Sequence, residues 1–543
     1  MKTRILVISL LLGASAVWAQ APAGAPPPAP AAITDADVKN VDTPKADVRA
    51  NGDPDGSLTG NASDIVVADS KKGLTLSDVL NQVGQNRIAV NFTWTLIAGF
   101  LVMFMQAGFA IVETGLCRAK NANHTMMMNF MVYGVGLFAY YLIGFTIQMG
   151  GVGAVANLGG TPPLNTEYTV SLFGKAFGLF GQHGIFLMQG HTYDVGVMVV
   201  FLFQMVFMDT TTTIVTGSAA ERWKYAAFIV STFLLGAFTY PLFANWAWGG
   251  GWLANLGGNF GLGHGYVDFA GSGVVHSVGG LTALAVAIIV GPRLGKYTRQ
   301  GKPNAIIGHD IVIVLTGCFI LAFGWFGFNP GSTLGASGPG NLRIATVAVN
   351  TMLAGMTGGF GAMFYMWMRY GKPDASMSGN GFLAGLVAIT APCGFVNPVC
   401  ACIIGLIAGV LVCLSVEYVD RVMKVDDPVG AISVHGANGL WGVIATGLFA
   451  DGRYGAGWNG VNGNVTGLFY GDPGQLVAQL MGAATLIGFV FSVSFVFNWL
   501  VDVLVGQRVS AKAELEGLDL PEMGQLGYPE FELKARPMGV PAA

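Results

Sequence analysis

Between residues 92 and 505 the chain alternates long apolar runs with short polar connections. The runs cover 92–112, 125–148, 195–217, 225–246, 271–290, 306–328, 345–367, 380–397, 400–418, 433–450 and 476–505. Each is long enough to cross a hydrocarbon layer of about 30 Å as a helix. The pattern predicts an all-α integral membrane protein with eleven transmembrane helices. Charge in the connections orients the bundle. Arg118, Lys120, Arg222, Lys224, Arg293, Lys296, Arg299, Lys302, Arg369, Lys372, Arg421 and Lys424 would share one side, with only Lys175, Arg343 and Arg453 on the other. Twelve cations against three satisfy the positive-inside rule, so the richer side and the C-terminus are expected in the cytoplasm.

The segments flanking this region read differently. Met1 to Arg4 is a short basic start, Ile5 to Val17 is apolar but too short to span, and Val17-Trp18-Ala19 has the small residues of a cleavage site. Residues 1–19 are therefore expected to be a signal peptide, the alternative being an uncleaved anchor helix. Residues 20–88, rich in Ala, Pro, Asp and Gly, are expected to be a mostly disordered extracytoplasmic extension. Residues 89–505 form the membrane domain and 506–543 a cytoplasmic tail. That arrangement implies a multi-pass protein of the cell's inner membrane with its mature N-terminus outside.

Composition agrees with the pattern and narrows the chemistry. Hydrophobic residues make up 53% of the 543, and charged residues 10%, against roughly 25% charged in soluble domains. The 80 glycines suit close helix approach in lipid. No basic run suggests a nucleic-acid partner. The six cysteines, at 117, 318, 393, 400, 402 and 413, lie in or beside apolar runs and read as packing residues. Cys393 paired with Cys400 or Cys402 is the alternative. No metal-ligand spacing occurs, so neither a metal nor a cofactor is implied.

One stretch occurs twice. DFAGSGVVHSVGGL at 268–281 and DPVGAISVHGANGL at 427–440 share Asp, Gly, Val, His, Gly and Leu at identical offsets, pairing Asp268 with Asp427 and His276 with His435. The copies open the fifth and tenth helices. An odd number of spans per unit inverts the second copy, so helices 1–5 and 6–10 form an inverted repeat, with helix 11 added. Two satisfied core histidines would be the ordinary reading of such residues. Duplication at symmetry-related positions favours a pair facing each other in a pore, where neutral imidazoles share one hydrogen bond and present an outward nitrogen to a small polar guest. Asp268 precedes its helix, where a carboxylate caps exposed amides and secondarily favours a cation nearby. Aromatic rings at Phe203, Phe207, Trp248 and Phe328, with Ser332, occupy three neighbouring stretches, and ring faces can attract a small cation.

Taken together, DFAGSGVVH, SVHGANGLWG, WFGFNPGS, AWGGGWL and AAERWKYAAF resemble the ammonium transporter (Amt/Rhesus) family over about residues 90–530. Trp248 inclines the likeness to the Amt branch. The resemblance implies an eleven-helix homotrimer with a conduction path in each protomer. It implies an ammonium recruitment site at Phe203, Phe207, Trp248 and Ser332, closed below by stacked Phe207 and Phe328. It also implies a twin-histidine pore of His276 and His435, and an entrance aspartate at Asp268. The EGLD stretch of the tail resembles the family segment that packs on a neighbouring protomer, and a PII-type signalling protein is an expected partner at the cytoplasmic face. Met523 stands where the family tail commonly has a histidine.

The expected function is recruitment and deprotonation of ammonium, with ammonia and the proton conducted inward. The alternatives are an ammonium sensor signalling through its tail, or a channel for another small neutral gas. Enzymatic use of Asp268 and His276 is not expected, because no nucleophile or cofactor motif lies near them.

Overall fold

In this computed structural model, residues 75–150, 158, 167–187, 195–338 and 341–530 are described. The expected signal peptide, most of the expected extension and the last tail residues lie outside them. The chain divides into two units, Met1–Asn86 and Arg87–Ala543.

Helix α1 runs from Leu76 to Leu116. It opens on a capping box in which Asp78 N donates to Thr75 Oγ1 at 3.2 Å and Thr75 N donates to the Asp78 carboxylate at 3.1 Å. Residues 76–88, counted with the extension on composition, are therefore helical. The local cap outweighs the polar composition of the stretch LSDVLNQVGQNR.

The remaining long helices follow as α2 (Ala119–Met149), α3 (Val195–Ala219), α4 (Tyr225–Trp248), α5 (Ser272–Val290), α6 (Ile311–Thr333), α7 (Asn341–Tyr370), α8 (Ala375–Ile389), α9 (Pro398–Met423), α10 (432–449) and α11 (Pro473–Val505). Among the described residues nine are long and apolar enough to cross a membrane, all but α8 and α10. Those two occupy the positions of the eighth and tenth apolar runs. Helix α8 has 15 residues. Asp374 caps its start by accepting from Met377 N at 2.9 Å, and Pro392 disfavours helix at the residue before it. Asp310 and Asp472 cap α6 and α11 in the same way. Polar residues at the edges of apolar runs thus fix where these helices start.

Large apolar side chains on the outside, Phe130, Phe319 and Leu504 among them, are exposed as a lipid-facing surface requires. Helices α3 and α5 are the most enclosed and α11 the least. All six cysteines are free thiols.

Part of the long segment between α2 and α3 forms a β-hairpin that the apolar pattern did not anticipate. Strands β1 (Glu167–Leu172) and β2 (Lys175–Gly181) pair antiparallel around a turn at Phe173 and Gly174. Strand β2 accepts from Trp246 Nε1 at Leu179 O and from Trp252 N at Gly178 O, at 2.8 and 3.0 Å, which ties the hairpin to the end of α4.

Helices α5 and α10 cross antiparallel at the centre. A Cβ at Gly280 would meet Gly436, one at Gly439 would meet Ser277, and one at Gly442 would meet Ser272. Position numbers rise along one helix as they fall along the other. At the far end of α5, Arg293 holds Asp426 with two side-chain bonds of 2.8 and 2.9 Å and also contacts Glu221 at 3.3 Å. Burial pushes the Asp426 carboxyl up, but the Arg293 bonds and charge outweigh it and hold it at about 2. Its neighbour Asp427 has no such ion pair among the described residues, and burial, only partly opposed by backbone amides, raises it to about 6.

Candidate functional site

The two copies of the repeat fold alike at their first residues. Gly271 and Gly430 take φ of +113° and +81°, left-handed values that suit glycine. Each chain reversal lets the preceding aspartate turn back onto the new helix. Asp268 accepts from Gly271 N at 2.8 Å and from Gly273 N and Val274 N at 2.9 Å. Asp427 accepts from Gly430 N, Ala431 N and Ile432 N at 3.2, 3.1 and 2.8 Å. Burial raises the Asp268 carboxyl above its ordinary value despite these amides. The helices then begin with π-helical turns, Ser272–Ser277 and Ile432–Ala437, each carrying its histidine. The wider turn is a common device at functional sites.

The crossing brings His276 and His435 together, with Nδ1 facing Nδ1 at 3.1 Å. Two neutral imidazoles satisfy that contact when one donates and the other accepts. Nε2 of His276 is buried and has no hydrogen-bond partner among the described residues. Above the pair, Phe328 and Trp325 each lie with ring centroids 5.4 Å from His276 and nearly parallel to it. Phe328 stacks in turn on Phe207, with centroids 4.2 Å apart.

Phe207 reaches a cavity of about 280 Å³ lined also by Phe203, Trp248, Ser332, Phe269 and Trp458. Phe203 lies 4.6 Å from Phe207 and Trp248 lies 6.2 Å from it edge-on. Trp248 is anchored by its Nε1, which donates to the Asp268 carbonyl at 2.7 Å. The Ser332 hydroxyl donates to Phe328 O at 2.8 Å. That leaves its oxygen lone pairs for a donor in the cavity.

All four expected recruitment residues thus line one space, and the expected ring pair and histidine pair follow it in sequence. Asp268 differs: its carboxylate is buried beside the cavity wall and spent on backbone amides, and it is not among the lining residues. Three participants were not singled out from sequence. Trp325 sits one helical turn before Phe328 on the same face, a spacing that could have indicated it. Arg343, counted as a loop cation, lays its guanidinium 4.7 Å over Phe269. Glu113 is an acid directly after the first apolar run, still within α1, and it lines a second small cavity together with His435.

The tail packs against the starts of α2 and α4 and a loop of its own chain. Leu518 N donates to Asn121 Oδ1 at 2.9 Å, and the Asp519 carboxylate accepts from His124 N at 2.9 Å. Glu514 accepts from Leu294 N at 2.6 Å and Glu522 from Tyr225 N at 2.9 Å. The EGLD stretch therefore makes contacts within the chain.

A bundle of apolar spans, with paired imidazoles enclosed below an aromatic cavity, defines a multi-pass membrane protein of the transport class. Residues 93–528 match the Ammonium Transporter Family. Ammonium transporter Amt2 of Archaeoglobus fulgidus is 44% identical over 450 residues, covering 82% of this chain and 89% of the relative. Ammonium transporter Amt1 of Haloferax mediterranei is 34% identical, covering 83% of this chain and 82% of its own. Among solved structures, a sensor Amt protein superposes with a TM-score of 0.69 at 32% identity, covering 81% of this chain and 99% of that one. Candida albicans Mep2 superposes at 0.66 with 26% identity, covering 84% and 93%. The chain belongs to the ammonium transporter family, in its Amt branch.

Proposed function

We propose that the protein carries ammonium nitrogen inward by recruiting the cation in the aromatic cavity, removing its proton, and conducting ammonia and the proton along routes organised by His276 and His435. Phe203, Phe207 and Trp248 supply ring faces to the cation, and Ser332 accepts one of its N–H groups. The observation that carries this reading is the Phe207–Phe328 stack, with centroids 4.2 Å apart, between the cavity and the histidines. A hydrated ion would have to part these rings to pass. An apolar path disfavours the charged form of any amine, so ammonium proceeds by losing its proton. Potassium has no neutral form to adopt.

Loop charge supports the cavity facing outward and the tail facing the cytoplasm of the inner membrane, and the family resemblance supports a homotrimer. Docking of a PII-type signalling protein at the tail-side loops belongs to the same reading. Capture of such a protein by the detergent-extracted chain, lost on truncation after Gly506, is the expected result; no capture in any nucleotide state would refute it.

Expression in a cell lacking its own ammonium uptake, at acidic pH and low ammonium, tests the main claim. Growth is expected to be restored, and potassium in excess is expected not to compete. Trp248→Leu removes one cation–π face worth about 0.5–2 kcal/mol, which raises the half-saturating ammonium concentration by about 2- to 30-fold. Binding without uptake would favour a sensor signalling through its tail, and equal passage of potassium would exclude the deprotonation step.

A further inference from the structure

Beyond the histidine pair lies a cavity of about 20 Å³, room for about one water molecule. Phe109, Val112, Ile214 and Leu321 give it apolar walls, and among the described residues His435 and Glu113 are the two ionisable side chains that line it. Glu113 is buried. Its Oε2 accepts from Asn129 Nδ2 at 2.7 Å, and Thr216 Oγ1 lies 3.0 and 2.8 Å from the two carboxyl oxygens. The network continues through Thr213 Oγ1, which donates to Asn129 Oδ1 at 2.9 Å and accepts from Gln106 Nε2 at 2.8 Å. Neutral partners from α2 and α3 therefore hold the carboxyl in one orientation.

An ionised carboxylate at membrane depth costs at least about 2.5 kcal/mol. Asn129 and Thr216 need only a hydrogen-bond acceptor, which a neutral amide would supply. What a carboxyl alone adds at this position is the ability to take up and release a proton. Asp427, the next acid to influence Glu113, lines a further cavity of about 80 Å³ with Lys296 and Asp420.

We propose that Glu113 receives the transported proton from His435 through one bridging water and passes it toward the tail-side loops. The inference rests on the ammonium-transport reading above. In the step, an imidazolium N–H bond of His435 breaks as the water gains that proton. The water gives one of its own protons to a Glu113 oxygen, and a neutral imidazole and a carboxylic acid remain. Release of the acid proton on the tail side restores the carboxylate, and no electrons are exchanged with any other group.

The test uses the full chain reconstituted in phospholipid vesicles and exposed to a jump in ammonium. Current on a supported membrane reports the proton, and an internal pH dye reports ammonia arriving alone. The wild type is expected to give both signals. Glu113→Gln is expected to lower the current at least tenfold while alkalinisation persists at a reduced rate, and Glu113→Asp to return the current to within threefold of wild type. A wild-type current in Glu113→Gln overturns the proposal. So does ammonium uptake by the wild type without current, or equal loss of both signals with no recovery in Glu113→Asp. Should the Gln variant not fold, infrared difference spectra of the wild type decide: a carboxyl band responding to ammonium is expected, and none would overturn the relay. Absence of any wild-type uptake is a separate outcome that removes the transport reading itself.

Discussion

Replacing Asp268 with alanine is expected to abolish uptake and to cost about 3 kcal/mol or more of stability. The carboxylate serves the amides of Gly271, Gly273 and Val274, all within a buried turn. Each amide left without an acceptor costs about 1–3 kcal/mol. The same loop fixes two parts of the path. Its carbonyl holds Trp248 at 2.7 Å, and its cap starts the turn that carries His276. Loss of the cap therefore disturbs the cavity wall and the histidine together. Asp268→Asn separates this account from one based on charge. One amide oxygen can still serve Gly273 N and Val274 N, while the new Nδ2 faces the donor at Gly271. The asparagine protein is expected to fold with a smaller loss, about 1–3 kcal/mol, and to keep measurable uptake. Thermal midpoints and uptake rates of the two variants provide the check. Equal loss in both would assign the residue to cation attraction and remove the capping explanation.

This division between backbone work and substrate work bears on what the amino-acid pattern could disclose. His276 and His435 were legible because their surroundings recur 159 positions apart, and a recurrence carries symmetry information that a single histidine lacks. The glycines at 271 and 430 belong to the same recurrence and set the turn in both copies. The span pattern was legible because a lipid layer demands a long apolar run from each helix that crosses it. Glu113, Trp325 and Arg343 have no second copy, and their roles depend on which neighbouring helix they meet, which hydropathy does not encode. The β-hairpin escaped for a related reason: its strands are short, and their attachment to Trp246 and Trp252 is a tertiary contact. The start of α1 at Leu76 turned on a reciprocal cap between Thr75 and Asp78, a local signal hidden within a polar composition.

The crossing of α5 and α10 makes a strict demand on side-chain size. Gly280 packs so closely on Gly436 that an added Cβ would overlap its backbone nitrogen and Cα. Backbone atoms cannot rotate aside as a flexible side chain can, so Gly280→Ala must drive the two helices apart or twist one of them. Overpacking of this kind costs about 1–3 kcal/mol. Its functional consequence is larger, because His435 immediately precedes Gly436 and its Nδ1 contact with His276 spans 3.1 Å. Separation by even about 0.5 Å carries that pair past the usual hydrogen-bond range, and a misplacement near 1 Å can cost about a hundredfold in rate. Gly280→Ala is accordingly expected to lower the thermal midpoint and to reduce ammonium uptake by one to two orders of magnitude, on the same reasoning. Gly488→Ala provides the comparison, since a Cβ there meets nothing within 4 Å. It is expected to transport as wild type and to be stabilised by up to about 1 kcal/mol through helix propensity. Wild-type uptake and midpoint in Gly280→Ala would mean that the helices are free to separate, and the histidine contact would then lose its place in the conduction path.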